Sequence, residues 1–106
     1  MNWTPICSVN DLVVNAGVAA MHDHQQVALF YQLKPTEKVY AIANWDPIAE
    51  ANVLSRGLIV DVDGAFYVAS PLYKQRYHLE TGQCKDAETS VPVWCAKIEN
   101  GTVWVA

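Results

Sequence analysis

Turn signals that recur about every ten residues are the feature that most limits how this chain can fold. Two of them, Asp63-Gly64 and Asn100-Gly101, each stand between two apolar runs. An Asn-Gly or Asp-Gly pair in that setting is the strongest short-range signal for a β-hairpin. No segment carries the sustained 3.6-residue hydrophobic period that a long helix requires. We therefore predict an all-β fold, an antiparallel sandwich or barrel of about nine or ten short strands.

The predicted strands are the apolar runs that lie between breaks in the sequence, at residues 1–7, 18–21, 26–32, 39–43, 58–62, 65–69, 77–79, 91–98 and 103–106. Helix is expected in two short pieces at most. The side chains of Ser8 to Asp11 can cap a single helical turn. Asp46-Pro47 fits an N-cap and a first helical position, which predicts a short helix through Ala51.

Length and charge exclude several classes of protein. The 106 residues suit one domain, 1–106, with one hydrophobic core. A net charge of −4 with only seven Lys and Arg residues disfavours binding to a phosphate backbone, so no nucleic-acid partner is expected. No apolar run approaches the roughly 20 residues that span a bilayer, so we expect no membrane contact. No secretory signal is apparent, which predicts a cytoplasmic location.

The residues that often bind metals form no convincing cluster in the sequence. The three cysteines have no closely spaced pair, which predicts reduced thiols, and Cys95 in an apolar run is expected to be a small core residue. His22 and His24 are two apart, a spacing that puts both on one face of a strand, as in some metal sites. The aspartate between them and the glutamines after them instead predict a turn, with both side chains in solvent.

The most specific pattern runs from Phe66 to Gly82. An apolar strand reaches Ser70-Pro71, where a backbone donor is lost and strand pairing must stop. The polar string Lys74-Gln75-Arg76 follows, and a second short strand closes on a turn at Thr81-Gly82. This order of strand, proline-containing loop and return strand resembles the second metal-binding loop of a Rieske iron–sulfur domain.

A Rieske domain holds a [2Fe–2S] cluster with two Cys and two His side chains from two loops. In this resemblance the ligand positions are Asn44 and Asp46 in the first loop, and Ser70 and Tyr73 in the second. None is Cys or His, and Asn or Ser cannot replace a thiolate. The resemblance therefore implies a Rieske-like fold without the cluster. The side chains expected to fill the vacated space by packing are Trp45, Ile48, Pro71, Leu72 and Tyr73.

Three further strings narrow the resemblance. They are Trp-Thr-Pro-Ile-Cys at residues 3–7, Leu-Ser-Arg-Gly at 54–57 and Ser-Pro-Leu-Tyr-Lys-Gln-Arg at 70–76. With them, nearly the whole chain resembles the small subunit of soluble, NAD(P)H-dependent assimilatory nitrite reductase. That resemblance implies an accessory subunit with no redox centre, inactive alone. It also implies a large-subunit partner that carries FAD, siroheme and an iron–sulfur cluster and reduces nitrite to ammonium.

The end of the molecule formed by the two loops is the predicted docking surface for the large subunit. Three of the seven cations lie in these irregular loops, and aromatic and Arg side chains are the usual anchors of protein contacts. The predicted docking residues are Trp45, Arg56, Pro71, Tyr73, Lys74 and Arg76. A solvated loop with no partner is the alternative for the same charges.

Two other functions compete with this one. A Rieske-type, ferredoxin-like electron carrier for an oxygenase would need iron, for which the ligands are missing. A free-standing module could bind a small ligand in a pocket at the loop end. No Gly-x-Ser-x-Gly string or phosphate-binding glycine loop is present, so no catalytic residue is predicted.

Overall fold

Short strands joined by tight turns make up the computed structural model, which describes all of residues 1–106. The strands are β1 (Thr4–Ser8), β2 (Ala16–His22), β3 (Gln25–Gln32), β4 (Lys38–Ala43), β5 (Trp45–Asp46), β6 (Ala51–Asn52), β7 (Leu58–Val62), β8 (Ala65–Ala69), β9 (Arg76–His78), β10 (Val93–Trp94), β11 (Ala96–Glu99) and β12 (Thr102–Val105). The only helical pieces are 3-10 turns at Val9–Asp11 and Leu54–Arg56. No helix has the length and apolar content needed to cross a bilayer.

Four antiparallel sheets form from these strands. The largest has the order β10-β4-β3-β2, two others have the orders β1-β12-β11 and β7-β8-β9, and β5 pairs only with β6. The all-β class that the turn spacing predicts is confirmed. The number of strands is twelve because two-residue strands form where the sequence suggests loop or one longer strand.

β3 is the central strand because its side chains supply two cores. Val27 and Leu29 pack on one side with Val103 of β12. Ala28 and Phe30 pack on the other side, in a cluster that includes side chains of β8 and β9. Successive side chains of a strand point to opposite faces, so a strand covered on both faces is apolar without a break. The four-stranded sheet therefore lies between the two three-stranded sheets.

Both predicted hairpin turns are present. Asp63 and Gly64 have φ values of 52° and 87°, and Asn100 and Gly101 have values of 53° and 75°. Positive φ at both central residues is the geometry of a type I′ turn, which Asn-Gly and Asp-Gly adopt at low cost. Ser8 also caps the first 3-10 turn as predicted, since its side chain accepts a hydrogen bond from the Asn10 N–H.

The predicted helix from Pro47 to Ala51 is wrong. The Asp46 carboxylate accepts the hydrogen bonds of an N-cap, from the N–H groups of Ile48 and Ala49, but Glu50 has a positive φ of 53°, which ends the turn. Those bonds close a turn, and Asp46 then pairs with Ala51 in the β5–β6 hairpin. A residue with a positive φ cannot continue a right-handed helix, so one turn forms here and no helix follows.

The prediction of one strand over residues 91–98 with Cys95 in the core is also wrong. β10 pairs with β4, whereas β11 pairs with β12, so the chain changes sheets at Cys95. The Cys95 backbone exchanges two hydrogen bonds of 2.9 Å with Ala106. The Cys95 side chain is exposed.

Gly82, in the turn after β9, lies close to the backbone of Val91, and substitution tests this contact. It has a φ of 77°, and a Cβ atom added there would collide with the carbonyl oxygen of Val91. We expect Gly82→Ala to lower the free energy of unfolding by about 1 kcal/mol for the left-handed backbone and about 1–3 kcal/mol more for the collision. Urea denaturation followed by tryptophan fluorescence measures this loss.

The matched control is Gly64→Ala. Gly64 has a φ of 87°, and nothing lies within 4 Å of an added Cβ atom. It therefore carries the backbone cost without the collision. Equal losses for the two variants would contradict the close approach of residue 82 to Val91.

Candidate functional site

Two loops meet at one end of the molecule, here called the loop end. The first loop comprises residues 44–57, after β4, and the second comprises residues 70–75, after β8. Three of the four predicted cluster-ligand positions, Asn44, Asp46 and Ser70, are buried there, with exposed fractions of 2% or less. The fourth, Tyr73, is 66% exposed. The structure therefore brings three of the four positions together and leaves the fourth on the surface.

The carboxylate of Asp46 connects the two loops. It is fully buried. It accepts hydrogen bonds from Ser70 Oγ at 2.5 Å, Tyr77 OH at 2.7 Å, Gln75 Nε2 at 2.8 Å, and the backbone N–H groups of Ile48 at 3.0 Å and Ala49 at 3.3 Å. A buried carboxylate is tolerated only when such donors replace the lost water. These partners, here called the Asp46 network, link the first loop to the second loop and to β9.

The network determines the protonation of its acidic members. Burial acts to raise the pKa of Asp46, but the hydrogen bonds from Ser70, Tyr77 and the backbone outweigh it and leave the pKa below its usual value. Burial, together with the neighbouring Asp46 carboxylate, raises the pKa of Tyr77. At neutral pH Asp46 is therefore ionised, and Tyr77 keeps the proton that it donates.

Asn44 holds the other side of the first loop. Its Nδ2 donates to Gln26 Oε1 at 2.8 Å, and its Oδ1 accepts from the Ser55 N–H at 2.7 Å. Its carbonyl oxygen accepts from the N–H groups of Val53 and Leu54 at 3.0 and 3.1 Å. Asn44 thus fixes the 3-10 turn of the first loop to the start of β3.

The predicted apolar filling of this region is wrong. Trp45, Ile48, Leu72 and Tyr73 have exposed fractions of 46%, 40%, 54% and 66%. Pro71 is exposed as well. Polar side chains of the Asp46 network occupy the space between the loops, and the apolar ones lie on the surface.

The sequence patterns do not identify Gln75 and Tyr77, which are also members of this site. Their signal is the alternation of residues 75, 77 and 79 along the return strand. All three are buried, whereas residues 74 and 80 are exposed. Alternation places two hydrogen-bond donors on the inward face, where a buried acceptor is needed. What the alternation does not show is that the acceptor lies 29 residues or more away, at Asp46.

The side chains at the ligand positions do not fit a [2Fe–2S] cluster. Cluster iron takes thiolate and imidazole ligands, whereas these positions offer an amide, a carboxylate, a hydroxyl and a phenol. The Asp46 carboxylate is also committed to its donors. No group of three or more His, Cys, Asp or Glu side chains is arranged to hold a metal ion.

The histidine pair is split by the β2–β3 turn. Asp23 and His24 occupy the turn with φ values of 48° and 64°, and His24 is exposed as predicted. The prediction that His22 faces solvent is wrong, because β2 extends to His22 and buries it. Its ring packs edge-on against Trp94, with 6.2 Å between the centroids.

The predicted docking residues differ in their exposure and in their contacts within the chain. Trp45, Arg56, Pro71, Tyr73 and Lys74 are exposed. Arg76 is engaged with Asp86, through bonds of 3.0 Å from Nε and 2.6 Å from Nη2. Those bonds hold the pKa of Asp86 at about 2. Arg76 is therefore neutralised within the chain.

Comparison with known proteins agrees with this geometry. The family model of the Rieske-like [2Fe–2S] domain matches residues 2–106. The ferredoxin of carbazole 1,9a-dioxygenase from Nocardioides aromaticivorans superposes with a TM-score of 0.82 at 20% identity, covering 100% of this chain and 98% of that one. The antiparallel sheets with two loops at one end thus define a Rieske-like domain, which confirms the predicted fold.

More similar proteins narrow the family. The nitrite reductase (NADH) small subunit of Salmonella typhimurium is 43% identical over 102 residues, which are 95% of this chain and 94% of that one. The NMR structure of the Escherichia coli protein NirD superposes with a TM-score of 0.86 at 41% identity, over 98% of this chain and 94% of that one. This chain belongs to the family of nitrite reductase (NADH) small subunits.

A longer relative contains the same domain. The nitrite reductase [NAD(P)H] large subunit of Klebsiella oxytoca is 46% identical over 104 residues, which are 97% of this chain. The chain spans only 11% of the length of that protein. The domain therefore occurs as a separate chain in some relatives and as part of a much longer chain in another.

Asp46→Asn tests the network. The substitution keeps the shape, removes the charge and turns an amide donor toward groups that already donate. We expect it to lower the free energy of unfolding by about 3 kcal/mol, measured by urea denaturation. Tyr77→Phe removes one donor and should cost about 1.5 kcal/mol. The control Asp63→Asn, at an exposed turn where Asn is equally suitable, should change little. A loss for Asp46→Asn no larger than the control would refute the network.

The lowered pKa of Asp46 also predicts a pH dependence. A carboxyl whose pKa is lower in the folded state stabilises fully above its unfolded pKa of roughly 3.9, and the contribution disappears as the pH falls through the folded pKa. We expect the stability difference between the wild type and Asp46→Asn to shrink as the pH falls below about 4. Urea denaturation at a series of pH values measures it. The pKa of Asp86 is lowered too, but Asp86 titrates alike in both proteins, so its contribution cancels in the difference. A stability difference that stays constant with pH would exclude an ionised Asp46.

Proposed function

We propose that this chain is the accessory, non-catalytic small subunit of a cytoplasmic nitrite reductase and docks on a large subunit that carries FAD, siroheme and an iron–sulfur cluster. The observation that carries the proposal is the Asp46 network. At the positions where a Rieske domain holds its cluster, this chain uses its side chains to join the two loops. The domain keeps the shape of an electron carrier and lacks the groups that bind the carrier's metal.

The identity of the partner rests on the relatives. Small subunits that resemble this chain over nearly their whole length are named as parts of an NADH nitrite reductase. In the Klebsiella oxytoca large subunit a similar stretch belongs to the same polypeptide. Covalent linkage keeps two parts at a high effective concentration, which suits a domain that works in contact with the rest of the enzyme.

The chain's own reactive groups support a non-catalytic role. Burial, with a smaller effect of Asp11, raises the pKa of Cys7, which keeps that thiol protonated and a poor nucleophile. Cys84 is buried as well. The ionised carboxylate of Asp46 is enclosed by its donors and has no contact with solvent. No nucleophile with an adjacent base is presented at the surface of the loop end.

The loop end is the surface that we propose for docking. Half of the large hydrophobic side chains that are exposed in the whole chain lie on or next to the two loops: Trp45, Ile48, Leu58, Leu72 and Tyr73. Exposed apolar side chains gathered at one place are typical of a protein contact surface. Trp and Tyr are also the side chains that most often dominate binding energy.

Co-purification of the tagged chain with its large subunit tests the proposal. The wild-type chain should retain the large subunit. The double variant Trp45→Ala, Tyr73→Ala should bind at least about thirtyfold more weakly, since the loss of even one such anchor costs about 2 kcal/mol. The control is Leu33→Ala in the β3–β4 connection, which has the same exposed fraction as Trp45, 46%. It should bind like the wild type.

The same preparation, purified without the large subunit, should be colourless and free of iron. A Rieske ferredoxin handled in parallel is the positive control for iron content and visible absorbance. Stoichiometric iron in this chain would overturn the cluster-free proposal and favour an electron carrier. Failure of the wild-type chain to bind the large subunit would overturn the docking proposal.

A further inference from the structure

A cleft at the loop end separates the two loops. One wall is the end of the first loop with the start of β7, and it presents Arg56 and Leu58. The other wall is the second loop, which presents Ser70, Pro71 and Lys74. The volume of the cleft is about 380 Å³. That volume is near the lower end of the range for ligand pockets, so it can take one or two side chains of another protein but no large ligand.

Two positive charges without an acidic partner line this cleft. The chain has seven Lys and Arg residues. Three of them, Lys38, Arg76 and Lys97, form ion pairs within the chain. Four form none: Lys34 and Lys85, which lie elsewhere, and Arg56 and Lys74, which both line the cleft. Two free cations on opposite walls of one cleft create a local attraction for a negative group.

Both walls are held in place before any partner arrives. The N–H of Ser55, beside Arg56, donates to Asn44 Oδ1 at 2.7 Å. The N–H of Lys74 donates to the Ser70 carbonyl at 3.0 Å, and the Ser70 hydroxyl belongs to the Asp46 network. Lys74 has a φ of 63°, which is uncommon for a residue with a side chain. The buried network thus positions the backbone from which the two cations project, so that binding has to order only their side chains.

The floor of the cleft is a close contact between the two walls. Leu58 pairs with Ala69 in the β7–β8 ladder. A Cβ atom added at Gly57 would collide with the carbonyl oxygen of Ala69. The absence of a side chain at residue 57 therefore lets the walls meet below Arg56 and Lys74 and leaves the cleft open only above them.

The rim of the cleft is apolar. Leu58 is 75% exposed, the largest exposed fraction among the large hydrophobic residues after Met1. Pro71 on the opposite wall is exposed too. A free small anion would leave this rim in water, whereas a protein segment would cover it and gain the hydrophobic contribution. The charge and the rim together favour an acidic side chain with an apolar neighbour.

We infer that the cleft receives an Asp or Glu side chain, next to an apolar residue, from a segment of the large subunit. The carboxylate lies between Arg56 and Lys74, and the apolar neighbour covers Leu58 and Pro71. The inference rests on the proposed function and adds the chemistry of the partner. The negative charge of Asp46 lies behind Ser70, where its own donors satisfy it, so it does not fill the cleft.

Charge reversal of the cleft is the first test. The double variant Arg56→Glu, Lys74→Glu should bind the large subunit at least about tenfold more weakly at low salt, because like charges then face each other. Added salt should lower the affinity of the wild type and should not lower that of the variant, because it screens an attraction in the first and a repulsion in the second. Circular dichroism checks that the double variant is folded. If the double variant does not fold, the milder pair Arg56→Gln, Lys74→Gln is used in its place.

The matched control is Lys34→Glu, Lys97→Glu, which changes the net charge by the same amount. Lys97 lies beside Glu37 and Val39 at the start of β4, at the end opposite Asn44, and Lys34 is in the adjoining connection. This control should change the affinity by less than about twofold. Equal weakening by both double variants would overturn the cleft, because the effect would then be one of overall charge.

Zero-length cross-linking is the second test. A carbodiimide joins an amine to a carboxylate in direct contact, so Lys74 should link to an Asp or Glu of the large subunit that mass spectrometry then identifies. Lys74→Arg keeps the charge and removes the amine; it should bind normally and lose this cross-link. Wild-type binding that the charge reversal does not weaken, with no cross-link at Lys74, would overturn the cleft and leave the proposed function standing. Loss of wild-type binding itself would overturn both.

Discussion

The buried carboxylate of Asp46 is the interaction on which the functional end of this molecule depends. A single ionised group, fully removed from water, accepts hydrogen bonds from its own loop, from the second loop and from β9. In a Rieske domain the metal cluster joins the corresponding loops. Here a carboxylate joins them, and this requires that every donor around it be present, because an unsatisfied buried charge is costly.

The filling of the interior by polar groups determines what the surface displays. Since the Asp46 network occupies the space between the loops, the apolar side chains of Trp45, Leu72 and Tyr73 remain outside. The same hydrogen bonds fix the turns from which Arg56 and Lys74 project. Rigid loops with exposed aromatic and cationic side chains suit protein recognition, because little conformational entropy is lost when a partner binds. The internal structure and the proposed docking surface therefore have one physical cause.

The predictions that failed share a physical reason. The helix after Asp46 fails because the chain turns back at Glu50, where φ is 53°, and Ala51 then pairs with Asp46. The burial of Cys95 fails because an apolar run does not show where a strand leaves one sheet for another. The packing of five loop residues fails because a polar network is not visible in hydrophobic patterns. In each case a backbone pairing or a contact outside the segment overrides a local preference.

By itself the sequence determined the all-β class, the two type I′ hairpins and the family, because turn geometry and short specific strings are local properties of the chain. It also determined that the cluster ligands are missing, since this depends only on which residues stand at four positions. Only the tertiary structure decided what replaces them. Gln75 and Tyr77 reach Asp46 across 29 and 31 residues, and the balance between burying a charge and satisfying it is set by the groups that the fold brings together.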